Sequence, residues 1–250
     1  MRLLPPLVVF FPRHGSRLLL AALLLVAPAA LLAAGAPAGP AASSASSSAS
    51  QADDLAELGM KVSVTIIFDT SGSMADRNKL VMAKRAFNWW LDSAPVSRIS
   101  QWSLYVFERG AAKPRLVLDR QAVGVDVLKR SIGSLEAAGG TPLARSIEAV
   151  TRVIDAENTK AAEGKGDILR QVVLIFTDGR DSTEKDNVVQ KRVQKLRDVG
   201  SEVFSIGYQG EGEYLAKTSD KFIMAGDEKQ LKEGLSSFSY FIEKSSGASK

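Results

Sequence analysis

VSVTIIFDTSGS, residues 62–73, is the stretch on which the reading of this chain turns. Six of the seven residues 62–68 are apolar or β-branched, which suits a strand buried on both faces. The run then stops at Asp69 and passes into small, hydroxyl-bearing residues, with Gly72 expected to let the backbone turn tightly so that Ser71 and Ser73 both face inward. A second stretch repeats the pattern: QVVLIFTDG, residues 171–179, is an apolar strand ending at Asp178. Two buried strands, each ending in an aspartate, are the frame from which the rest is read.

Between and after them, helical spacing alternates with strand-like runs. Residues 79–92 place Leu80, Ala83, Phe87, Trp90 and Leu91 on one helix face, which makes Phe87 and Trp90 core and leaves Trp89 the aromatic most suited to exposure. Strands are expected at 102–108 and 115–119, joined by a turn with Gly110 and Pro114. Helices are expected at 125–135 and 142–155, and a polar loop at 156–168. A helix at 187–199, a strand at 202–208, a short helix at 212–219, a strand at 221–224 and a last helix at 227–244 complete the series. This alternation implies an α/β fold: a doubly wound, mostly parallel central sheet flanked by helices in three layers. Ligands of such sheets bind beyond the carboxyl ends of the strands, where the strand order reverses.

Three segments reach that rim. Asp69, Ser71 and Ser73 follow the first strand, Gly139-Gly140-Thr141 precedes a helix beginning near Pro142, and Asp178 follows the second buried strand. They offer two carboxylates and three hydroxyls, hard oxygen donors that suit Mg²⁺, Mn²⁺ or Ca²⁺. Taken singly these residues have plainer readings. Asp69 and Ser73 are good helix caps, Thr141-Pro142 a good helix start and Asp178-Gly179 a turn signal.

Asp-x-Ser-x-Ser, then a distant Thr, then a distant Asp, resembles the metal-ion-dependent adhesion site of von Willebrand factor type A domains. Asp69, Ser71, Ser73, Thr141 and Asp178 fill all five positions, within the phrases GGTPLA and IFTDG. The likeness covers about residues 60–245. It implies a divalent cation, Mg²⁺ first with Mn²⁺ or Ca²⁺ as alternatives, contacted by Ser71, Ser73 and Thr141 and held directly or through water by Asp69 and Asp178. It further implies a protein partner whose Asp or Glu carboxylate completes the coordination, no small-molecule substrate, and no catalysis. A cation held partly by neutral hydroxyls keeps positive charge and attracts an anionic group. Arg180, Asp181, Glu184 and, from the next strand end, Glu211 flank the rim and are candidates for partner contact. The alternatives are a metal-free interaction scaffold and a phosphotransferase-type enzyme built on Asp69. The enzyme lacks the second acid that such sites place two residues on, where Ser71 stands.

Composition narrows the classes further. The chain of 250 residues has no cysteine, so disulfides, thiolate metal sites and a cysteine nucleophile are excluded, and its one histidine is His14. The net charge is +4, but Arg2, Arg13 and Arg17 precede the domain and leave 29 basic against 28 acidic residues. With no dense basic patch, nucleic-acid binding is not expected. Those three arginines, the apolar run 18–34 and the small residues after it form a secretory signal, either cleaved or retained as an anchor. Residues 35–57 are expected to be an Ala/Ser/Pro/Gly linker, 58–245 the domain and 246–250 a tail. The expected location is exported, periplasmic or secreted, with membrane attachment only through the leader.

Overall fold

The computed structural model describes residues 61–93, 99–107, 114–122 and 124–244. The expected leader, linker and tail, and the first residues of the expected domain, lie outside this set. Six strands form one sheet in the order β3-β2-β1-β4-β5-β6. They are β1 (Val62–Phe68), β2 (Ile99–Val106), β3 (Arg115–Gln121), β4 (Arg170–Thr177), β5 (Ser201–Tyr208) and β6 (Lys221–Ala225). All neighbours are parallel except β2 and β3, which form an antiparallel edge pair. The chain leaves β1 for β2 on one side and returns to β4 on the other, so strand order reverses between β1 and β4.

The helices are α1 (Lys79–Ser93), α2 (Val125–Gly133), α3 (Leu143–Ala162), α4 (Asp186–Asp198) and α5 (Glu228–Lys244). Side chains of a strand point alternately to the two faces of the sheet, and that alternation builds two cores. Val62, Val64, Ile66 and Phe68 of β1, with Val172, Leu174 and Phe176 of β4, pack under α1, α2 and α5. Ile67 of β1 and Val173 and Ile175 of β4 pack under α3 and α4. The three-layer, doubly wound fold expected from the sequence is the one observed. Phe68, Phe87 and Phe176 meet at the top of the first core, with ring centroids 4.9 to 5.4 Å apart. Trp90 is buried and donates its indole N–H to Ser239 Oγ at 2.7 Å, whereas Trp89 is 42% exposed beneath the Lys232 ammonium.

One local expectation is corrected. The polar loop 156–168 begins later, because α3 continues to Ala162. Its apolar periodicity stops at Ile154, but nothing there breaks a helix until Gly164, which adopts φ +69°. The added turns are held from outside: Asn158 donates to Val199 O, and Glu157 accepts from Arg120. Before α1, in a stretch where no element is expected from the sequence, Gly72–Asn78 form a 3-10 helix with a kink at Asp76 and Arg77. Among the described residues, no helix is long and apolar enough to cross a membrane.

Candidate functional site

Parallel pairing of β1 with β4 in register Phe68↔Phe176 places the two strand ends side by side. Asp69 N–H donates to Phe176 O at 2.9 Å, carrying the ladder one step past the strands. Thr70 then anchors the loop on both sides: its hydroxyl donates to Phe107 O after β2, and its carbonyl accepts from Ala138 N–H. Gly72 N–H donates to Gly139 O at 2.9 Å. A side chain at Gly72 would stand 3.3 Å from that same oxygen. Close approach, not a left-handed backbone, is therefore what residue 72 requires; the left-handed glycine is Gly139, at φ +80°. The loop before α3 is thereby clamped against the loop after β1.

Four of the five expected residues, Asp69, Ser71, Ser73 and Asp178, are joined in a continuous string. Asp69 is fully buried; its Oδ1 accepts Ser71 N–H at 2.8 Å and its Oδ2 accepts the Thr177 hydroxyl at 2.6 Å. Ser71 Oγ and Ser73 Oγ lie 3.0 Å apart, and Ser73 Oγ donates to Asp178 Oδ1 at 2.8 Å. Ser73 is exposed at the rim, whereas Asp178 and Thr141 are buried. Neither Asp69 nor Ser73 caps a helix, so the plainer reading of those two residues is not what their side chains do. Thr141 is held by its backbone, its N–H donating to Ser182 Oγ and its carbonyl accepting from Ser182 N–H. Among the described residues its hydroxyl takes no hydrogen bond. α3 itself begins at Leu143, one residue after the expected position, with Pro142 in the capping place.

Burial is the largest influence on Asp69. It pushes the carboxyl up to about 6 from the ordinary 3.8, with the nearby Asp178 charge adding to it against the hydrogen bonds from Ser71 and Thr177. The donor set fits a hard divalent cation in kind: two carboxylates and three hydroxyls, one of them unengaged. Among the described residues, no three His, Cys, Asp or Glu side chains cluster as a metal cage. Any cation here would depend on the hydroxyls.

Two residues of the site escaped sequence reading. Thr177 orients Asp69, and its only signal was a hydroxyl closing an apolar strand. Lys79 donates to Asp178 Oδ2 at 2.7 Å and is itself nearly buried. Its signal was a cation at the first position of a helix, where the macrodipole disfavours one. The four flanking candidates separate. Arg180 pairs with Glu211 at 2.8 Å and with Asp186 at 3.3 Å on the exposed rim, and Glu184 is exposed beside them. Asp181 turns inward. Its Oδ2 accepts Ala144 N–H at 2.6 Å, capping α3, and its Oδ1 accepts from Thr183 N–H, Thr183 Oγ1 and Glu184 N–H. It is 8% exposed, so its expected availability to a partner is corrected: the carboxylate joins the 178–184 loop to α3.

Residues 64–180 match the family model of the von Willebrand factor type A domain. This is a von Willebrand factor type A fold. Similar solved structures agree with the assignment. Proximal thread matrix protein 1 from mussel byssus, with a zinc-occupied metal-ion-dependent adhesion site, is 19% identical at a TM-score of 0.54. That alignment covers 71% of this chain and 46% of the mussel chain, so this chain spans under half of that relative's length. The corresponding domain of the type V pili tip protein Mfa5 from Porphyromonas gingivalis is 10% identical at a TM-score of 0.58, covering 76% of this chain and 98% of that one. Manganese-loaded TRAP protein of Plasmodium vivax is 15% identical at a TM-score of 0.51, covering 72% and 74%. At these identities the likeness is one of fold. No curated protein matches the sequence significantly.

Proposed function

We propose that the domain is a cation-dependent protein-binding module of an exported assembly. Asp69, Ser71, Ser73, Thr141 and Asp178 would hold one divalent cation, Mg²⁺ first, with Mn²⁺ or Ca²⁺ as alternatives. The observation that carries this reading is the string Asp69–Ser71–Ser73–Asp178 at the reversal of strand order. When bound, the ion would supply a positive centre for an Asp or Glu carboxylate of the partner protein. Asp69, with both oxygens committed to Ser71 and Thr177, orients the loop. Ser71, Ser73 and Thr141 would turn their hydroxyls toward the cation, and Asp178 would have to exchange its bonds from Ser73 and Lys79 for it. The exposed Arg180–Glu211 pair and Glu184 would meet the partner around it. Zinc and manganese in two of the similar structures support a site of this kind.

A metal-free interaction scaffold is the second reading, and the Lys79–Asp178 ion pair favours it. Thermal unfolding of the full chain with and without millimolar Mg²⁺, Mn²⁺ or Ca²⁺ decides between them, with Asp69→Ala as the control. A ligand that binds only the folded state stabilises it by about 2.7 kcal/mol at a hundredfold excess over its Kd. A cation-dependent rise present in the wild type and absent in Asp69→Ala supports the cation-dependent module. No rise in either protein supports the scaffold.

A further inference from the structure

Lys79 is placed against local preference in three ways. It is the first residue of α1, where the helix dipole repels an ammonium, and the first turn holds no acidic residue to offset it. The two residues before it, Arg77 at φ 49° and Asn78 at φ 59°, both lie in the left-handed region. L-residues adopt that conformation when their surroundings impose it. The side chain is also nearly withdrawn from water, 12% exposed, with its ammonium 2.7 Å from the fully buried Asp178 carboxylate. Asp178 is its ion-pair partner, and Asp178 Oδ1 is already engaged by Ser73.

A divalent ion using Asp178 would meet this ammonium. The lysine neutralises one of the two carboxylates and repels a second cation at short range, in surroundings that screen charge weakly. We propose that Lys79 is a built-in competitor of the cation. The ammonium and the divalent ion contend for Asp178, and Lys79 thereby sets the cation concentration at which the domain becomes competent to bind. This inference rests on the cation-binding reading above.

Isothermal titration calorimetry of the full chain with MnCl₂ and MgCl₂ tests it, comparing wild type, Lys79→Met, Lys79→Arg and Asp69→Ala. Met keeps an apolar stem without the charge; Arg keeps the charge. Lys79→Met is expected to bind roughly tenfold or more tightly than wild type, and Lys79→Arg about as weakly as wild type. Circular dichroism in metal-free buffer checks that each variant is folded, and Lys79→Gln replaces Lys79→Met if that variant is not. Binding by Lys79→Met with none by wild type also supports the proposal. Unchanged or weaker binding in Lys79→Met, or equal tightening in Lys79→Arg, overturns it; if Asp69→Ala has meanwhile lost binding, the cation site stands. No binding by any variant overturns both.

Discussion

Replacing Asp181 by alanine should destabilise the domain by about 2–3 kcal/mol. The estimate comes from the four hydrogen bonds its carboxylate accepts. Ala144 is buried, and its N–H in the first turn of α3 would be left without an acceptor, which costs about 1–3 kcal/mol. The cap is that same bond and is not counted twice. Thr183 and Glu184 are exposed, so water replaces most of what their N–H groups lose, leaving about 0.5 kcal/mol. Asp181→Asn separates the two sides, because one oxygen can serve either α3 or the loop but not both; it should fall between wild type and alanine. Urea unfolding at neutral pH measures the difference, with an unchanged dependence on denaturant showing that the unfolded state is unaltered. In a thermal scan the alanine variant should melt roughly 5–10 °C lower. Glu184→Ala, exposed on the same loop, is the control and should stay within about 0.5 kcal/mol of wild type. If Asp181→Ala matches that control, the carboxylate stands in solvent, and residue 181 returns to the candidates for partner contact.

Asp69 should make stability depend on pH in the absence of divalent ions. Its folded value near 6 lies above its ordinary value, so the folded state holds the proton more tightly. The stability this confers is complete below about pH 4, declines as pH rises and is lost above about pH 6, by at most about 3 kcal/mol. Unfolding in chelator from pH 4 to 7 should show that decline, and Asp69→Asn should flatten it. Gly140→Ala would bring a methyl group 2.7 Å from Ser182 Oγ. It should dislodge the hydroxyl that accepts Thr141 N–H, lower stability by about 1–2 kcal/mol and shrink any cation-induced rise in melting temperature. Trp90→Ala should cost about 3–5 kcal/mol and Trp89→Ala less than about 1, since only Trp90 leaves a core cavity; equal losses would contradict the packing of α1.

Much of the fold was legible because the parallel sheet is buried on both faces. A strand such as QVVLIFT then carries an unbroken apolar centre, Val172 to Phe176, instead of an alternating pattern. α1 was equally plain, its apolar spacing separating Trp90 from Trp89. The tail of α3 was not, because residues 156–162 are held by propensity and by Asn158 and Glu157 reaching other elements, and neither leaves a periodic trace. Nor was the role of Lys79: a lysine at a helix start is locally unfavourable, but its meaning depends on what lies opposite.

Alone, the sequence determined the strand–helix alternation, the two aspartates closing buried strands and the five oxygen donors at the rim. These are patterns of type and spacing along one chain, set by the solvation of alternating faces and by what small residues permit. Tertiary structure alone decided that Asp181 is spent on α3, that Thr177 locks Asp69 and that Lys79 already occupies Asp178. Each of those depends on a partner between 37 and 108 residues away in the chain. Hydrogen bonds and ion pairs act over about 3 Å in space, and no local pattern records which distant group will arrive there.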